Sequence, residues 1–122
     1  MKIRIKSNSL RYRLTRTDVQ QLDETGSLQD EVDFGGQSLV YGIKLTDDWL
    51  LSSAFKNNTI TLFMPKSMVT ELVNTDKVGF ENNSGQLHLL VEKDFTCLEN
   101  VEEDQSDNYP NPMDERIYEE NG

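Results

Sequence analysis

Ser53-Ala54-Phe55-Lys56-Asn57-Asn58-Thr59-Ile60-Thr61-Leu62-Phe63-Met64-Pro65 is the stretch on which the reading of the fold turns. Asn57-Asn58 sits between two runs rich in apolar and β-branched residues, and asparagine tolerates the positive φ that a two-residue hairpin turn needs. Strand, turn and strand are therefore predicted. The first strand begins around Trp49 and Leu51 and runs to Phe55; the second returns from Thr59 to Met64. Pro65 suits the first turn of a helix, where its missing N–H costs nothing. Met68, Val69, Leu72 and Val73 then recur at helical spacing, which predicts a helix near residues 65–74 that buries this stripe.

Alternation continues outward in both directions. Ile3 and Ile5 alternate with Lys2, Arg4 and Lys6, and Leu10, Tyr12 and Leu14 alternate with Arg11 and Arg13, so each strand has one packed face and one wet face. Thr17-x-x-Gln20 reads as a capping box opening a short helix over residues 18–25, with Val19 and Leu22 inward and Gly26 as its stop. Leu28, Val32 and Phe34 mark a weaker strand, Gly35-Gly36 a tight turn, and Leu39, Tyr41, Ile43 and Leu45 the next strand. Beyond the second helix, Val78 and Phe80 start a last hairpin, turned at Asn82-Asn83-Ser84-Gly85 and returning through Leu87, Leu89 and Val91 to Phe95. No internal repeat stands out. The sum is an α+β chain, mainly antiparallel β. Seven or eight strands are expected as a strongly curved sheet or a partly closed barrel, with two short helices over an end or a face.

After Cys97-Leu98 the periodicity stops, so the expected organisation is a single β-rich domain over residues 1–98 and an acidic, flexible tail over residues 99–122. The tail holds nine acids against one base and almost no apolar content, too little to offset the entropy of ordering it. A chain of 122 residues has room for one core. Its net charge of −10 argues against general affinity for nucleic acid or anionic membrane. Cys97 is the single cysteine, which rules out an intramolecular disulfide and fits a reducing compartment. The start, Met1 to Lys6, offers no apolar core for a signal peptide, and no run is apolar and long enough to span a membrane. A cytoplasmic protein is expected.

Lys2, Arg4, Lys6, Arg11, Arg13 and Arg16 are half of the 12 basic residues, gathered in sixteen positions without an acid among them. The first five fall on the polar faces of two strands. Three readings stay open: Glu31, Asp33 or other neighbouring acids pair with them across the sheet; the acidic tail folds back onto them; or they hold a phosphate or carboxylate ligand. In the tail, Asp107, Tyr109, Pro110 and Pro112 form an extended segment with one aromatic anchor, suited to a protein partner, against the plainer reading of a solubilising tail. Asp104, Ser106, Asn108 and Glu115 fall on positions of a calcium loop, but Tyr109 occupies the turn that needs glycine. His88 and Cys97 have opposite parity along one strand, so no thiol–imidazole pair, metal site or cofactor is expected, and Cys97 reads as a buried apolar residue.

The opening Lys-Ile-Arg-Ile-Lys, the Leu10-Arg11-Tyr12-Arg13-Leu14 strand, and Cys97-Leu98 followed by Glu103-Asp104-Gln105-Ser106-Asp107-Asn108-Tyr109-Pro110-Asn111-Pro112 resemble a small bacterial family of unknown function. The resemblance spans residues 1 to 112 and implies no activity. Ile60 to Lys66, leading into a helix with Leu72, resembles the strand–Pro–Lys–helix join of the looped-hinge transition-state regulators, which bind DNA as interlocked dimers. The strand pattern is also similar to the triphosphate-tunnel fold, whose barrel brings charged side chains to a central site. That fold opens with alternating acids before a base, whereas this chain has bases throughout.

The function expected is a binding module for an anionic small molecule or a protein partner, acting through a basic strand face and modulated by the acidic tail. The alternative is a phosphate-ester or polyphosphate enzyme with a charged barrel interior, which requires Lys2, Arg4, Arg11 and Arg13 to converge in a cavity.

Overall fold

Hairpins are the unit of construction. A computed structural model describes residues 1–95, and the eight strands found there pair off in sequence. β1 (Lys2–Lys6) and β2 (Ser9–Leu14) turn at Ser7-Asn8; β3 (Ser27–Asp33) and β4 (Ser38–Thr46) turn through residues 34–37. β5 (Ser52–Lys56) and β6 (Thr59–Pro65) turn at Asn57-Asn58, both with positive φ (54° and 59°), as the sequence predicts. β7 (Gly79–Ser84) and β8 (Leu87–Lys93) turn at Gly85-Gln86, not at residues 82–85. Gly85 supplies the positive φ (65°), which leaves Asn82, Asn83 and Ser84 free to continue the ladder.

Helix α1 (Arg16–Thr25) follows β2, and α2 (Lys66–Asn74) follows β6. The box that caps α1 is Thr15 with Asp18, two residues ahead of the predicted Thr17 and Gln20. The Thr15 hydroxyl accepts from the Asp18 N–H (3.2 Å), and the Asp18 carboxylate accepts from the Thr15 N–H (2.9 Å) and pairs with the Met1 amino group (2.7 Å). Burial works to raise the Asp18 carboxyl, but these hydrogen bonds and the Met1 charge hold it below its ordinary value. Gly26 ends the helix at φ 83°, its N–H donating to the Leu22 carbonyl.

The strands form neither one curved sheet nor a barrel. They make two four-stranded mixed sheets, ordered β1-β2-β8-β7 and β3-β4-β6-β5. Every hairpin is antiparallel, but hairpins join through parallel central pairs, β2 with β8 and β4 with β6. Alternation in a strand is the same whichever way its neighbour runs, so the mixed pairing leaves no mark in the sequence.

The order β1-β2-α1-β3-β4 recurs as β5-β6-α2-β7-β8, an internal repeat. Fifty positions separate matching residues through the first hairpin and helix (Lys6 and Lys56, Leu10 and Ile60, Leu22 and Leu72), and 48 separate those of the last strand (Ile43 and Val91). Equivalent hydrogen bonds repeat too: the His88 N–H donates to the Asn8 carbonyl (3.0 Å) and the Val40 N–H to the Asn58 carbonyl (2.9 Å). The halves are interlocked, since each sheet takes the first hairpin of one half and the second hairpin of the other. Most matching positions agree in class and not in identity, which hides the repeat in the sequence.

The core lies between the sheets and under the helices: Leu10, Tyr12, Leu14, Ile43, Leu62, Met64, Leu89 and Val91 from the strands, Val19, Leu22, Val69 and Leu72 from the helices, which pack on one another. Tyr12 is wholly buried, its hydroxyl has no partner among the described residues, and burial pushes its phenol well above the ordinary value. Several apolar residues expected inside are outside. Val73 leaves the stripe of α2, with Met68 only partly buried, and Val32, Phe34, Val78 and Phe95 are exposed. Trp49 is 87% exposed in the loop before β5, where only Leu51 turns inward.

Candidate functional site

The outward faces of β1, β2, β8 and β7 form a grid fixed by register. Lys2, Arg13, Glu92 and Gly79 make one row, Arg4, Arg11, Leu90 and Glu81 the next, and Lys6, Ser9, His88 and Asn83 the third. All five bases expected to bind an anion, Lys2, Arg4, Lys6, Arg11 and Arg13, thus stand on one face, with Glu92 and Glu81 as the acids of the grid. Strand parity brings them together, as the sequence predicts. Of the acids expected to pair with them, Glu31 and Asp33 lie on β3, in the other sheet, and the neighbouring acids that do pair are Glu92 and Asp94.

The bases divide into two groups. Arg11 and Arg13 both donate through Nε to the same Glu92 oxygen, at 2.7 and 3.1 Å, and the carboxylate is largely shielded from water. Lys2 Nζ lies 3.1 Å from Asp94, just past the end of β8. These contacts tie β1 and β2 to β8. Arg4 and Lys6 make no ion pair with any described residue. Between them and β8 lies a shallow cavity of about 190 Å³, lined by Arg4, Lys6, Ser9, Leu10, Arg11, His88 and Leu90. His88 is held at its edge, Nδ1 2.8 Å from the Asn83 amide oxygen and Nε2 3.3 Å from Glu81. Parity assigns His88 and Glu92 to this face, but their closeness to the arginines comes from the parallel β2–β8 pairing, which sequence reasoning misses.

Such a corner can hold an oxyanion: a guanidinium offers paired donors, an ammonium a mobile point charge, and neither can act as an acceptor. The interior that barrel chemistry requires does not form among the described residues, where no charged residue is buried and the bases point outward. Nor do three or more His, Cys, Asp or Glu side chains gather there as a metal site would need. Cys97 and the segment Asp107, Tyr109, Pro110 and Pro112 lie outside the described residues.

Similarity to other proteins reaches the same region of the chain. The chain belongs to a family of unknown function, DUF7009. The family match covers residues 1–113, so it takes in both interlocked halves, the basic face and the Tyr109-Pro110-Asn111-Pro112 segment. No curated protein and no solved structure matches the chain. No described helix in this DUF7009 member is long and apolar enough to cross a membrane.

Proposed function

We propose that this DUF7009 protein is a binding module that takes an oxyanion, phosphate or carboxylate, at the corner where Arg4, Lys6 and Arg11 meet. One observation carries the reading. In a chain of net charge −10, Arg4 and Lys6 stand beside a third base with no described acid engaging them. Lys2 and Arg13 are held by Asp94 and Glu92, and Arg11 shares Glu92 with Arg13, so Arg4 and Lys6 are the two bases of the corner that no described acid holds. Residues 99–122 carry nine acids on the same chain, and in this reading they are the internal competitor for the corner. The single cysteine fits a cytoplasmic setting, where small phosphorylated and carboxylated metabolites are its ligands.

Titration with pyrophosphate and with citrate, followed by amide chemical shifts in 20 and 200 mM salt, tests this. Shifts should centre on Arg4, Lys6, Arg11 and His88. The Arg4→Ala/Lys6→Ala variant should bind at least about tenfold more weakly, as expected for losing charge-assisted hydrogen bonds. Removing residues 99–122 should tighten binding in low salt only, because exposed charge pairs are screened. Shifts scattered over the surface, unchanged in the double variant, would remove the site. Duplex DNA belongs in the same titration. Preference for it over both anions would replace this reading with the one implied by the resemblance of residues 60–66 to the looped-hinge regulators, and the interlocked halves are the feature in its favour.

A further inference from the structure

Each sheet ends in two edge strands, β1 and β7 in one, β3 and β5 in the other. The repeat brings these edges together at two seams. At the first, β5 packs against β7 and the Asn82 amide donates to the Leu51 carbonyl (2.9 Å). At the second, β1 and β3 take the places of β5 and β7, with Asp30 equivalent to Asn82 and Met1 to Leu51. A carboxylate has no hydrogen to donate, so Asp30 cannot make this tie, and among the described residues no ladder joins β1 to β3.

The backbone of both strands is set for a new neighbour. The His88 and Asp94 N–H groups donate to the Asn8 and Leu14 carbonyls, so the even residues of β2 bond to β8 and the odd ones to β1. Bonding alternates along an antiparallel pair, which turns the N–H and C=O of Ile3 and Ile5 to the free side. On β3, the Phe34 N–H donates to the Gln37 carbonyl (2.8 Å), which makes Val32 and Leu39 the next bonded pair. Gln29, Glu31 and Asp33 are thereby left to the free side. The two sets interlock as a parallel ladder, with Ile5 bonding to the residues on either side of Val32 and Ile3 to those on either side of Asp30.

In that register Ile5 lies beside Val32, Arg4 beside Glu31 and Lys6 beside Asp33. Ile5 and Val32 point to the inner side of their sheets yet are 59% and 43% exposed, so each would gain a cover. Of the described edge strands, β1 alone has a base at every outward position, and Glu31-Val32-Asp33 is the only acid–apolar–acid run in the whole chain. Residues 96–122 contain none, although they are acidic. Glu31 makes no ion pair with a described residue, and Asp33 uses one oxygen on the Gly35 N–H (2.8 Å). Pairing β1 with β1, or β3 with β3, would set like charges against each other.

We propose that two copies of this chain join at the second seam, β1 of each pairing in parallel with β3 of the other. Arg4 and Lys6 then face the partner subunit's Glu31 and Asp33. Each copy offers both edges at one seam, so the same contact is made twice and closes a two-fold dimer. The inference does not depend on the corner taking a free anion.

Sedimentation velocity of the full chain over a range of concentrations tests it. A reversible dimer is expected, weaker in high salt because its ion pairs are exposed. Arg4→Glu/Lys6→Glu and Glu31→Lys/Asp33→Lys, their folds verified by circular dichroism, should each raise the dimer Kd at least about tenfold, since like charges then meet. An equimolar mixture of the two variants should dimerise again, because each supplies the edge that complements the other. Glu31→Lys/Asp33→Lys leaves the oxyanion corner whole and should still bind pyrophosphate. A wild-type chain that is monomeric throughout but binds pyrophosphate would overturn the dimer and leave the corner standing. A dimer that neither variant weakens, or a mixture that stays monomeric, would overturn it as well.

Discussion

Arg4 and Ala54 occupy equivalent positions in the two sheets, as do Arg11 and Thr61, and Arg13 and Phe63. Lys2 corresponds to Ser52, and only Lys6 meets another base, Lys56. Turned inward, the same strands agree far better: Leu10 with Ile60, Leu14 with Met64, and on the helices Val19 with Val69 and Leu22 with Leu72, all buried. One architecture is thus built twice with the same packing, and only one copy carries a cationic face. A sheet of this design stands without arginines on its outside. The bases of β1 and β2 are therefore an addition to the fold and no requirement of it, and this is why they are the place to look for function.

The equivalence of the halves can be broken most sharply in the core. Leu22→Ala and Leu72→Ala should each cost about 2–5 kcal/mol in urea unfolding, the usual range for a buried leucine. Should either lose less than about half a kilocalorie, that helix does not pack as its counterpart does.

A smaller effect is expected where the halves differ. Helix α1 has the Thr15–Asp18 box, while the equivalent positions in α2 are Pro65 and Met68, with no side-chain cap. Asp18→Ala should cost about 1–2 kcal/mol at pH 7. The folded Asp18 carboxyl lies below its ordinary value of 3.8, so the folded state takes up its proton less readily than the unfolded chain. Its contribution is complete above that value and disappears as pH falls through the lower folded one. Urea midpoints of wild type and variant should converge between pH 4 and pH 2, and a gap that stays constant would show that the charge plays no part.

The smallest effect concerns Tyr12, whose counterpart is Leu62. Because the Tyr12 hydroxyl is buried without a described partner, Tyr12→Phe should be neutral or stabilise by up to about 1 kcal/mol. Destabilisation beyond about 1 kcal/mol would show that the hydroxyl is satisfied after all.

Much of this was legible in the chain itself. The Asn57-Asn58 turn, the Gly26 stop, the inward parity of Leu87, Leu89 and Val91 and the shared outward face of the five bases all follow from local rules. What local rules do not contain is which strand stands next to which. Glu92 reaches Arg11 and Arg13 through a pairing of residues about eighty positions apart, and nothing near either arginine announces it. The exposed set fails for a related reason: Val73, Val78 and Phe95 have apolar side chains in periodic places, but they sit past the edges of the core and no described residue covers them. The repeat was hidden by substitutions such as Tyr12 for Leu62 and Leu14 for Met64, which preserve a position's role without preserving its residue.

The interlocking of the halves has a consequence for a chain made from its amino end. The β3-β4-β6-β5 sheet is drawn from the continuous stretch 27–65 and can assemble as soon as that stretch is free. The other sheet needs residues 2–14 and 79–93, and its central β2–β8 pairing brings together the two ends of the described chain. During synthesis β1 and β2 therefore wait as a lone hairpin, which is marginal at best in water. Their apolar side faces an unfinished interior until β8 arrives. The alternation of lysine and arginine along β1 and β2 is well suited to that interval, because charged strand edges discourage pairing with the wrong neighbour. A basic face of this kind suits a hairpin that has to stay soluble and single until its partner strand is made.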